Sequence, residues 1–548
     1  MIAYDLETTR IVAGNPKPLY LTACGADMHV STPLRSLEHL RDILQSEFLT
    51  PERHRTRFVA WNGNKFDVFF IGAALLHSKE YVLRPYLTRT KALRGLKVIQ
   101  PKEKLEWEFL DGMAMTVGVP TRLNDFLKTF APEFHKLDAP DWEHEEFNPR
   151  NSDHVAYAER DSEGLYHGMM KAESIILENF GQPLQPTIGN LGIRLFAQHM
   201  PEGVECWAPS YEIDKIIRER VMRGGFCFAS RQFFGPIWKY DINQAYAAAM
   251  RDAKLPAGRC LRVFEYKPDV CGIFLVTGAI KRNRVPFYVR NLDTGVGMSI
   301  FDVLDAWITS SEYEQLLAEG WALTVRDGYY WEFHFSMSDY VTRLESLRIS
   351  APKSAQGVMI KAIGNNSYGK TVEELGGYEL LMAAERPDGF FHYQDGGDPI
   401  QHIWFRFAEP QMRDYHQPQI GAFITAHVRM VLRRAILQDS DSWIYSDTDC
   451  CIFSRAVDLP IDPGKYGLWK VECEGEEYRV ITKKVYAAVD GSEKKAKGLT
   501  IAKLSMQDFA DWYDGKPPTI RQTQRQNFLA VMAGADMFVD RVKTGQRL

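Results

Sequence analysis

The sequence predicts a multidomain α+β protein, and three observations carry the prediction. Its 548 residues, at a prior of about 150 per domain, predict three or four domains. Alternating β-prone runs (Met1–Leu6, Phe58–Trp61) stand beside long helix-like stretches (His154–Lys171, Phe423–Gln438). The composition, 45% hydrophobic and 25% charged, is that of a globular chain with ample core. A net charge of −5 neither supports nor excludes nucleic acid as a partner, because a groove needs only local positive charge. The eight cysteines form no Cys-x-x-Cys pair and have no histidines at zinc-finger spacing. Neither a disulfide framework nor a structural zinc is therefore expected, and a reducing compartment is. With no run of about 18 apolar residues and no charged-then-apolar leader, the chain is expected neither to span a membrane nor to be secreted.

In Met1–Leu6, Ile2, Tyr4 and Leu6 share one face of a strand and Ala3, Asp5 and Glu7 the other, so Asp5 and Glu7 project together. Because residue 5 is already chemical, no room for a presequence is expected. Phe58–Trp61 reads as a second strand, followed by Asn62-Gly63-Asn64-Lys65-Phe66-Asp67 and an apolar helix start. Asp67 thus stands where a strand-to-helix turn ends. In His154–Lys171, Tyr157 and Asp161 fall at i and i+4 on one helix face. Gln182–Pro186 is proline-marked and is expected to be a linker.

Further on, Arg223-Gly224-Gly225-Phe226 precedes the β-prone run Ile237–Tyr240, and paired glycines allow close backbone approach. Asp241 ends that run and opens the helix-like stretch Ile242–Met250. Trp443-Ile444 and Cys450–Phe453 are β-prone runs joined by Tyr445-Ser446-Asp447-Thr448-Asp449 and are expected to form a hairpin, although the turn has no glycine. Asp447 and Asp449, at i and i+2, leave the same face. Carboxylates that close would not both stay ionised without a cation, and a hard divalent metal is the natural partner. With Asp241 facing the hairpin, the set could hold two Mg²⁺ roughly 3.5 to 4 Å apart for in-line phosphoryl transfer, which points to a nucleotidyl transferase.

From Ser354 to Tyr368, Val358, Met359, Ala362 and Ile363 recur at helical spacing, while Lys361, Asn365 and Tyr368 make a second stripe at i, i+4 and i+7. A cation, an amide and an aromatic on one face suit a triphosphate and a stacked base pair, and Arg348 is a second candidate for the phosphates. Between Tyr478 and Lys503, Arg479, Lys483, Lys484, Lys494, Lys495, Lys497 and Lys503 outnumber Asp490 and Glu493, a candidate phosphate track.

The order of these motifs resembles family B DNA polymerases over nearly the whole chain. Asp5-x-Glu7, Asn62-x3-Phe66-Asp67 and Tyr157-x3-Asp161 resemble the three exonuclease motifs of the proofreading members. Gly224-Gly225, Asp241 to Tyr246, Lys361 to Gly369, Tyr445 to Asp449 and Lys484-Val485-Tyr486 resemble the synthetic ones. The resemblance implies an N-terminal RNase H-like 3′-to-5′ exonuclease domain followed by a right-hand polymerase of palm, fingers and thumb with two insertions. It implies two Mg²⁺ per active site, with Mn²⁺ able to substitute, held by Asp5, Glu7, Asp67 and Asp161 in one site. In the other they are held by Asp241 and Asp449, with Asp447 alongside. Tyr157 is implied to orient the attacking water, and Asn62 and Phe66 to hold a single strand's 3′ end. Lys136 is the counterpart of a lysine in protein-primed members, and Gly112-Met113 stands where those members carry a strand-binding Ser-Leu. Tyr246 is implied to lie under the deoxyribose, with Lys361, Arg348, Asn365 and Tyr368 around the nucleotide. Lys484 and Tyr486 are implied to steady the primer terminus, with Gly224, Gly225, Thr425 and Arg429 also at the DNA. Where the family reads Asp-x-x-Ser-Leu-Tyr-Pro, this chain has Gln244, Ala245 and Ala247 in place of the serine, leucine and proline, and Asn366 replaces the serine of the usual Asn-Ser.

The same resemblance divides the chain into an exonuclease domain (1–182), a first part of the palm (183–253), an insertion resembling a terminal-protein region (254–337) and fingers (338–371). An insertion resembling a strand-displacement hairpin (372–418), a second part of the palm (419–503) and a thumb (504–548) follow. Insertions at these two places resemble the protein-primed polymerases of small linear-genome phages, in which the first docks a terminal protein and the second encircles the template. Trp307, Tyr313, Trp321, Tyr329, Tyr330 and Trp331 in the first suit a protein interface or a local core. Arg386-Pro387-Asp388-Gly389 and Asp395-Gly396-Gly397-Asp398 mark the second as a long hairpin. The implied partners are primer-template DNA, deoxynucleoside triphosphates and a terminal protein. The implied state is a monomer in the host cytoplasm, with no membrane partner. Decorative loops at the insertions, starting on ordinary primers or none, and a catalytically silent nucleic-acid-binding relative are the alternatives.

Overall fold

Two sheets position the chemistry, and each is organised around a strand that carries a carboxylate towards its C-terminal end. The computed structural model describes residues 1–548 except 89, 143–144, 351–353, 374–376, 396–397, 410–412 and 547–548, and the side chains of 355, 395, 398 and 399 also lie outside the description. Gly396 and Gly397 of the expected hairpin turn are among the undescribed residues. The first sheet has ten strands in the order Phe391–Asp395, Asp398–Phe407, Tyr378–Met382, Val82–Leu87, Leu93–Gln100, Leu105–Asp111, Arg57–Ala60, Ile2–Thr8, Pro18–Gly25 and Met28–Pro33. Ile2–Thr8 runs parallel to Arg57–Ala60 and antiparallel to Pro18–Gly25. Ile2, Ala3, Tyr4 and Leu6 are all buried, which leaves Asp5, Glu7 and Thr8 as its half-buried polar positions, the first two of them carboxylates. The helix Ser152–Phe180 covers the side that carries them, burying Ala158, Asp161, Leu165 and Met169. Its N-terminus is fixed by Asn151, whose side chain accepts from the Asp153 N–H at 2.9 Å.

The second sheet has seven strands in the order Lys494–Ala496, Val485–Ala488, Trp469–Thr482, Phe233–Ile242, Cys450–Phe453, Trp443–Asp447 and Cys227–Ala229. Behind it, the helix Pro418–Gln438 buries Ile420, Phe423, Ile424, Val428, Leu432 and Ile436 in the main core. The helices Ala245–Asp252, Ser338–Ser350 and Ala355–Asn366 pack against one another. Among the described residues no helix is long and apolar enough to cross a membrane.

Residues 254–337 fold around a four-stranded sheet, Leu255–Val263, Ala322–Phe335, Gly272–Ala279 and Val303–Thr309, with the helix Ser310–Ala318 against it. Here the structure decides between the two readings of the aromatics. Trp307, Tyr313, Trp321, Tyr329 and Trp331 are 1–8% exposed, so these aromatics are core, and of the six only Tyr330 keeps appreciable surface. A four-stranded sheet with one helix must bury large side chains to be stable, and that need consumes them.

Within residues 372–418, three strands extend the first sheet. Tyr378–Met382 pairs with Val82–Leu87 through Met382 and Leu83, and Glu379 binds Arg84 and Arg406. The expected linker at Gln182–Pro186 is also anchored. Leu184 is fully buried, its carbonyl accepting from Arg57 Nη1 at 2.8 Å. At the C-terminus, the hairpin Thr519–Arg525 with Phe538–Thr544 and the helix Phe528–Met532 dock on the first unit. Phe528 lies edge-on to Phe69, ring centroids 5.1 Å apart.

Candidate active sites

The first cluster forms where Ile2–Thr8, the helix Asp67–Leu75 and the helix Ser152–Phe180 meet. Asp67, 3% exposed, is the first residue of its helix, and its Oδ1 accepts from the Leu6 N–H at 3.1 Å, clasping the central strand. Burial, then Asp161, pushes the Asp5 carboxyl up to about 7. Burial, then Asp5 and Asp161, pushes Glu7 to about 8. Burial, then Asp5, raises Asp67 well above the carboxylate range. Asp161 is also raised by burial, against the pull of Lys136. Lys136 binds Asp161 Oδ2 and lies 4.7 Å from the centre of the Tyr157 ring. The long interval between Lys136 and the helix therefore closes in space onto the two residues the sequence pairs at i and i+4.

Asn62 and Phe66 bracket the turn before Asp67. Asn62 is left-handed at φ 62°, and Phe66 packs edge-on to Phe70, 5.3 Å between centroids. The turn is held by Asp111, which the sequence reading passed over. Its Oδ1 accepts from the N–H of Asn62 at 3.1 Å and of Met113 at 2.9 Å, and its Oδ2 accepts from Asn64 at 3.4 Å. The signal was present: an aspartate ending an apolar strand before a helix start, the context that singled out Asp241. Gly112-Met113 opens the short helix that Asp111 caps, and both residues are buried.

The second cluster follows from register. Asp241 is opposite Cys450, Cys450 opposite Asp447, and Lys470 opposite Asp241. Burial, then Asp241, pushes the Asp449 carboxyl up to about 7. Burial raises Asp241 too, opposed by Lys470, whose Nζ lies 2.9 Å from Asp241 Oδ2. Asp447 turns to Lys484 instead, with Nζ 2.7 Å from both of its oxygens, and the Lys484 N–H donates to the Tyr445 hydroxyl at 3.1 Å. The turn dispenses with glycine because Thr448 itself adopts φ 67°. Its N–H donates to the Phe226 carbonyl at 2.8 Å, and the Ile242 N–H donates to the Asp449 carbonyl at 2.8 Å. Gly225 seats this turn: a Cβ there would lie 2.7 Å from Thr448 Cα, closer than any side chain allows. Gly224 has open space in the Cβ direction.

Around the carboxylates stand the nucleotide candidates. Tyr246 stacks on Tyr368, centroids 4.7 Å apart. Lys361 and Asn365 are exposed on the helix Ala355–Asn366. Burial, then Arg348 and Lys470, lowers the Lys361 ammonium below its ordinary value. Arg348 Nη1 reaches Asn243 Oδ1 at 3.5 Å. Lys470 was missed because nothing in the sequence fixes the register that sets it opposite Asp241. Beside Asp447 opens a cleft of about 520 Å³, lined by Lys239, Lys484, Lys495, Lys497, Tyr486 and Glu493 among others. The Tyr486 hydroxyl donates to Glu493 at 3.2 Å.

Two residues differ from expectation. Thr425 is 2% exposed and its hydroxyl donates to the Ala422 carbonyl at 3.1 Å. Arg429 is 3% exposed and spends its donors on Glu312 and on the carbonyls of Arg223 and Gly224. Both lie on the inner face of Pro418–Gln438, so neither offers DNA a free group.

As positioned, no three Asp, Glu, His or Cys side chains converge on one ion among the described residues. Lysines bridge the carboxylates instead. The donors nevertheless fit hard divalent cations. They are all oxygens, they repel one another at both sites, and Asp161 Oδ1 is buried with no hydrogen-bond partner among the described residues.

Two carboxylate clusters, each a set of oxygen donors, thus stand on two separate sheets. Residues 59–390, more than half of the sequence, match the family described as DNA polymerase type B, organellar and viral, and the chain belongs to that family. It is 24% identical over 381 residues to a protein of Neurospora intermedia named "Probable DNA polymerase", covering 64% of this chain and 39% of that one. The chain thus spans well under half of that relative's length. It is 24% identical over 449 residues to the DNA-directed DNA polymerase of Enterobacteria phage PRD1, covering 79% of this chain and 73% of the phage protein. The fold is that of Phi29 DNA polymerase in complex with primer-template DNA and incoming nucleotide, at TM-score 0.75 and 17% identity, over 100% of this chain and 99% of that one.

Proposed function

We propose that this chain is a DNA-directed DNA polymerase with a 3′-to-5′ exonuclease, using primer-template DNA, deoxynucleoside triphosphates and divalent cations. The observation that carries the reading is the meeting of Asp241, near the end of its strand, with Asp449, in the turn that leads into the neighbouring strand, with Lys470, Lys361 and Arg348 around them. Paired carboxylates ringed by cations suit a metal–triphosphate complex. When bound, a divalent ion there supplies the Lewis acidity that lowers the pKa of a primer 3′-hydroxyl and neutralises the triphosphate. The chain's own groups do the rest. Lys361 and Arg348 bind phosphate oxygens, and Tyr246, braced by Tyr368, underlies the sugar beside Asn365. Lys484 fixes Asp447 and so the hairpin tip. In the first cluster Asp5, Glu7, Asp67 and Asp161 are the ligands. Tyr157 orients the attacking water, and Asn62 and Phe66 receive the 3′ end. The lysine-rich cleft beside Asp447 tracks the primer backbone, with Tyr486 in its wall.

Initiation on a terminal protein belongs to the same proposal. Its support is a likeness to Phi29 DNA polymerase that runs the whole chain, with the phage PRD1 relative supporting a viral genome; a monomer acting in the host cytoplasm completes the proposal. The experiment is extension of a labelled primer-template by the purified chain with Mg²⁺, beside degradation of a labelled single strand. Both activities are expected. DNA bound without extension would overturn the reading in favour of a silent relative.

A further inference from the structure

Glu312 has no exposed surface. It lies on the helix Ser310–Ala318 of the first insertion, where it completes a capping box with Thr309. It also joins two guanidiniums from outside the insertion. Oε1 accepts from Arg429 Nε at 3.2 Å and Nη2 at 2.8 Å, and Oε2 accepts from Arg223 Nη2. Arg223 and Arg429 are 1% and 3% exposed. A buried ionic triad is weak evidence for stability, since apolar residues of similar volume often serve as well. What apolar residues could not do is donate. Arg429 Nη1 donates to the carbonyls of Arg223 at 2.7 Å and Gly224 at 3.1 Å. The next residue, Gly225, lies in backbone contact with Thr448, and the Phe226 carbonyl accepts from the Thr448 N–H at 2.8 Å. Thr448 separates Asp447 from Asp449. An unbroken series of contacts therefore runs from the insertion's helix, through the triad and the 223–226 backbone, to the tip of the carboxylate hairpin.

We propose that Glu312 is a positioning residue for nucleotide addition: by orienting Arg429 it holds the 223–226 backbone as the seat of the Asp447–Asp449 hairpin, so the first insertion and the synthetic centre move as one body. The inference rests on the polymerase reading and adds to it a residue far from the reacting atoms. It separates from a merely structural role because the other carboxylate cluster, on a different sheet, supplies an internal control.

The test compares wild type with Glu312→Gln, Gly225→Ala and the triple change Arg223→Met, Glu312→Leu, Arg429→Met. Single-nucleotide addition, with kcat and KM separated, is read beside degradation of a single strand and thermal unfolding. Glu312→Gln and Gly225→Ala are expected to lower kcat for addition by about 10- to 100-fold, as for a reacting group displaced by ~1 Å, with KM and strand degradation within about twofold of wild type. The triple variant leaves no charge unpaired. It is expected to unfold at the wild-type temperature yet still add nucleotides slowly, because no donor holds Gly224. A folded triple variant adding nucleotides at the wild-type rate would overturn the positioning role, as would parallel loss of both activities in every variant. Wild type that degrades single strands but adds no nucleotide would instead overturn the polymerase reading, and the inference with it.

Discussion

Truncating Phe528 to alanine should release the C-terminal segment from the N-terminal unit without disabling either active site. Phe528 is 1% exposed and meets Phe69 edge-on at 5.1 Å. It sits so close over Gly72 that a Cβ there would lie 2.9 Å from its ring. Leu529, Met532 and Met537 share that core. Removing a buried phenylalanine costs about 3–5 kcal/mol, and at 1.4 kcal/mol per tenfold that shifts the docked-to-undocked ratio by roughly two to four orders of magnitude. The hydrogen bonds between Gly14 and Phe538, at 2.8 and 3.0 Å, and from the Met537 N–H to Asn15 Oδ1 at 2.7 Å are half-buried edge contacts that remain in this variant, so the change reads the apolar contact itself. The assay is product length on a long primed template when each enzyme binds once, with limited proteolysis at 504–548 in parallel. Shorter products and faster cleavage are expected from Phe528→Ala, and a smaller effect in the same direction from Gly72→Ala. Wild-type lengths with wild-type proteolysis would refute the view that this contact holds the C-terminal segment on the N-terminal unit.

Shortening Tyr246 to valine should raise ribonucleotide use relative to deoxyribonucleotide in a competition assay, each tenfold loss of discrimination equalling about 1.4 kcal/mol. An unchanged ratio would remove Tyr246 from beneath the sugar. Excising residues 384–401, which leaves the pairing of Tyr378–Met382 with Val82–Leu87 intact, should shorten products and halt synthesis at a downstream duplex while single additions persist. Repeated copying of a primed circle with displacement by that variant would make the insertion decorative. In the Glu312 triad, burial opposes the charge but Arg223 and Arg429 overcome it, holding the carboxyl at about 2 against an ordinary 4.5. A depressed carboxyl stabilises the fold above 4.5 and loses that contribution as pH falls through 2. The difference in unfolding temperature between wild type and Glu312→Gln should therefore shrink across that window, and a constant difference would deny the triad its charge.

Much of both sites was legible because carboxylates at strand ends and helix starts are local signals. Asp5 and Glu7 follow from alternation, Asp67 from a strand-to-helix junction, and Asp447 and Asp449 from a polar tip between apolar runs. What depends on register was not legible. Lys470 faces Asp241 only because Trp469–Thr482 pairs with Phe233–Ile242 through bulges that no local pattern announces. Arg429 and Thr425 were read toward DNA because an amphipathic helix shows its stripe but not what covers it. Here the cover is Glu312, from an element more than a hundred residues away. The aromatics of Trp307–Trp331 stayed undecided in the sequence for a similar reason, since interface and core draw on the same side chains and only the fold tells them apart. Residues 372–418 read in the sequence as a long hairpin, and what the sequence does not show is that Tyr378–Met382 continues a sheet begun at the N-terminus.

The two-centre reading is tested most directly by separating the activities in one preparation. Asp449→Asn should abolish nucleotide addition while single-strand degradation continues at the wild-type rate. The pair Asp5→Ala with Asp161→Ala should end degradation while addition survives. Loss of both activities in either variant, or near wild-type addition by Asp449→Asn, would contradict the assignment of separate carboxylate centres to separate chemistries.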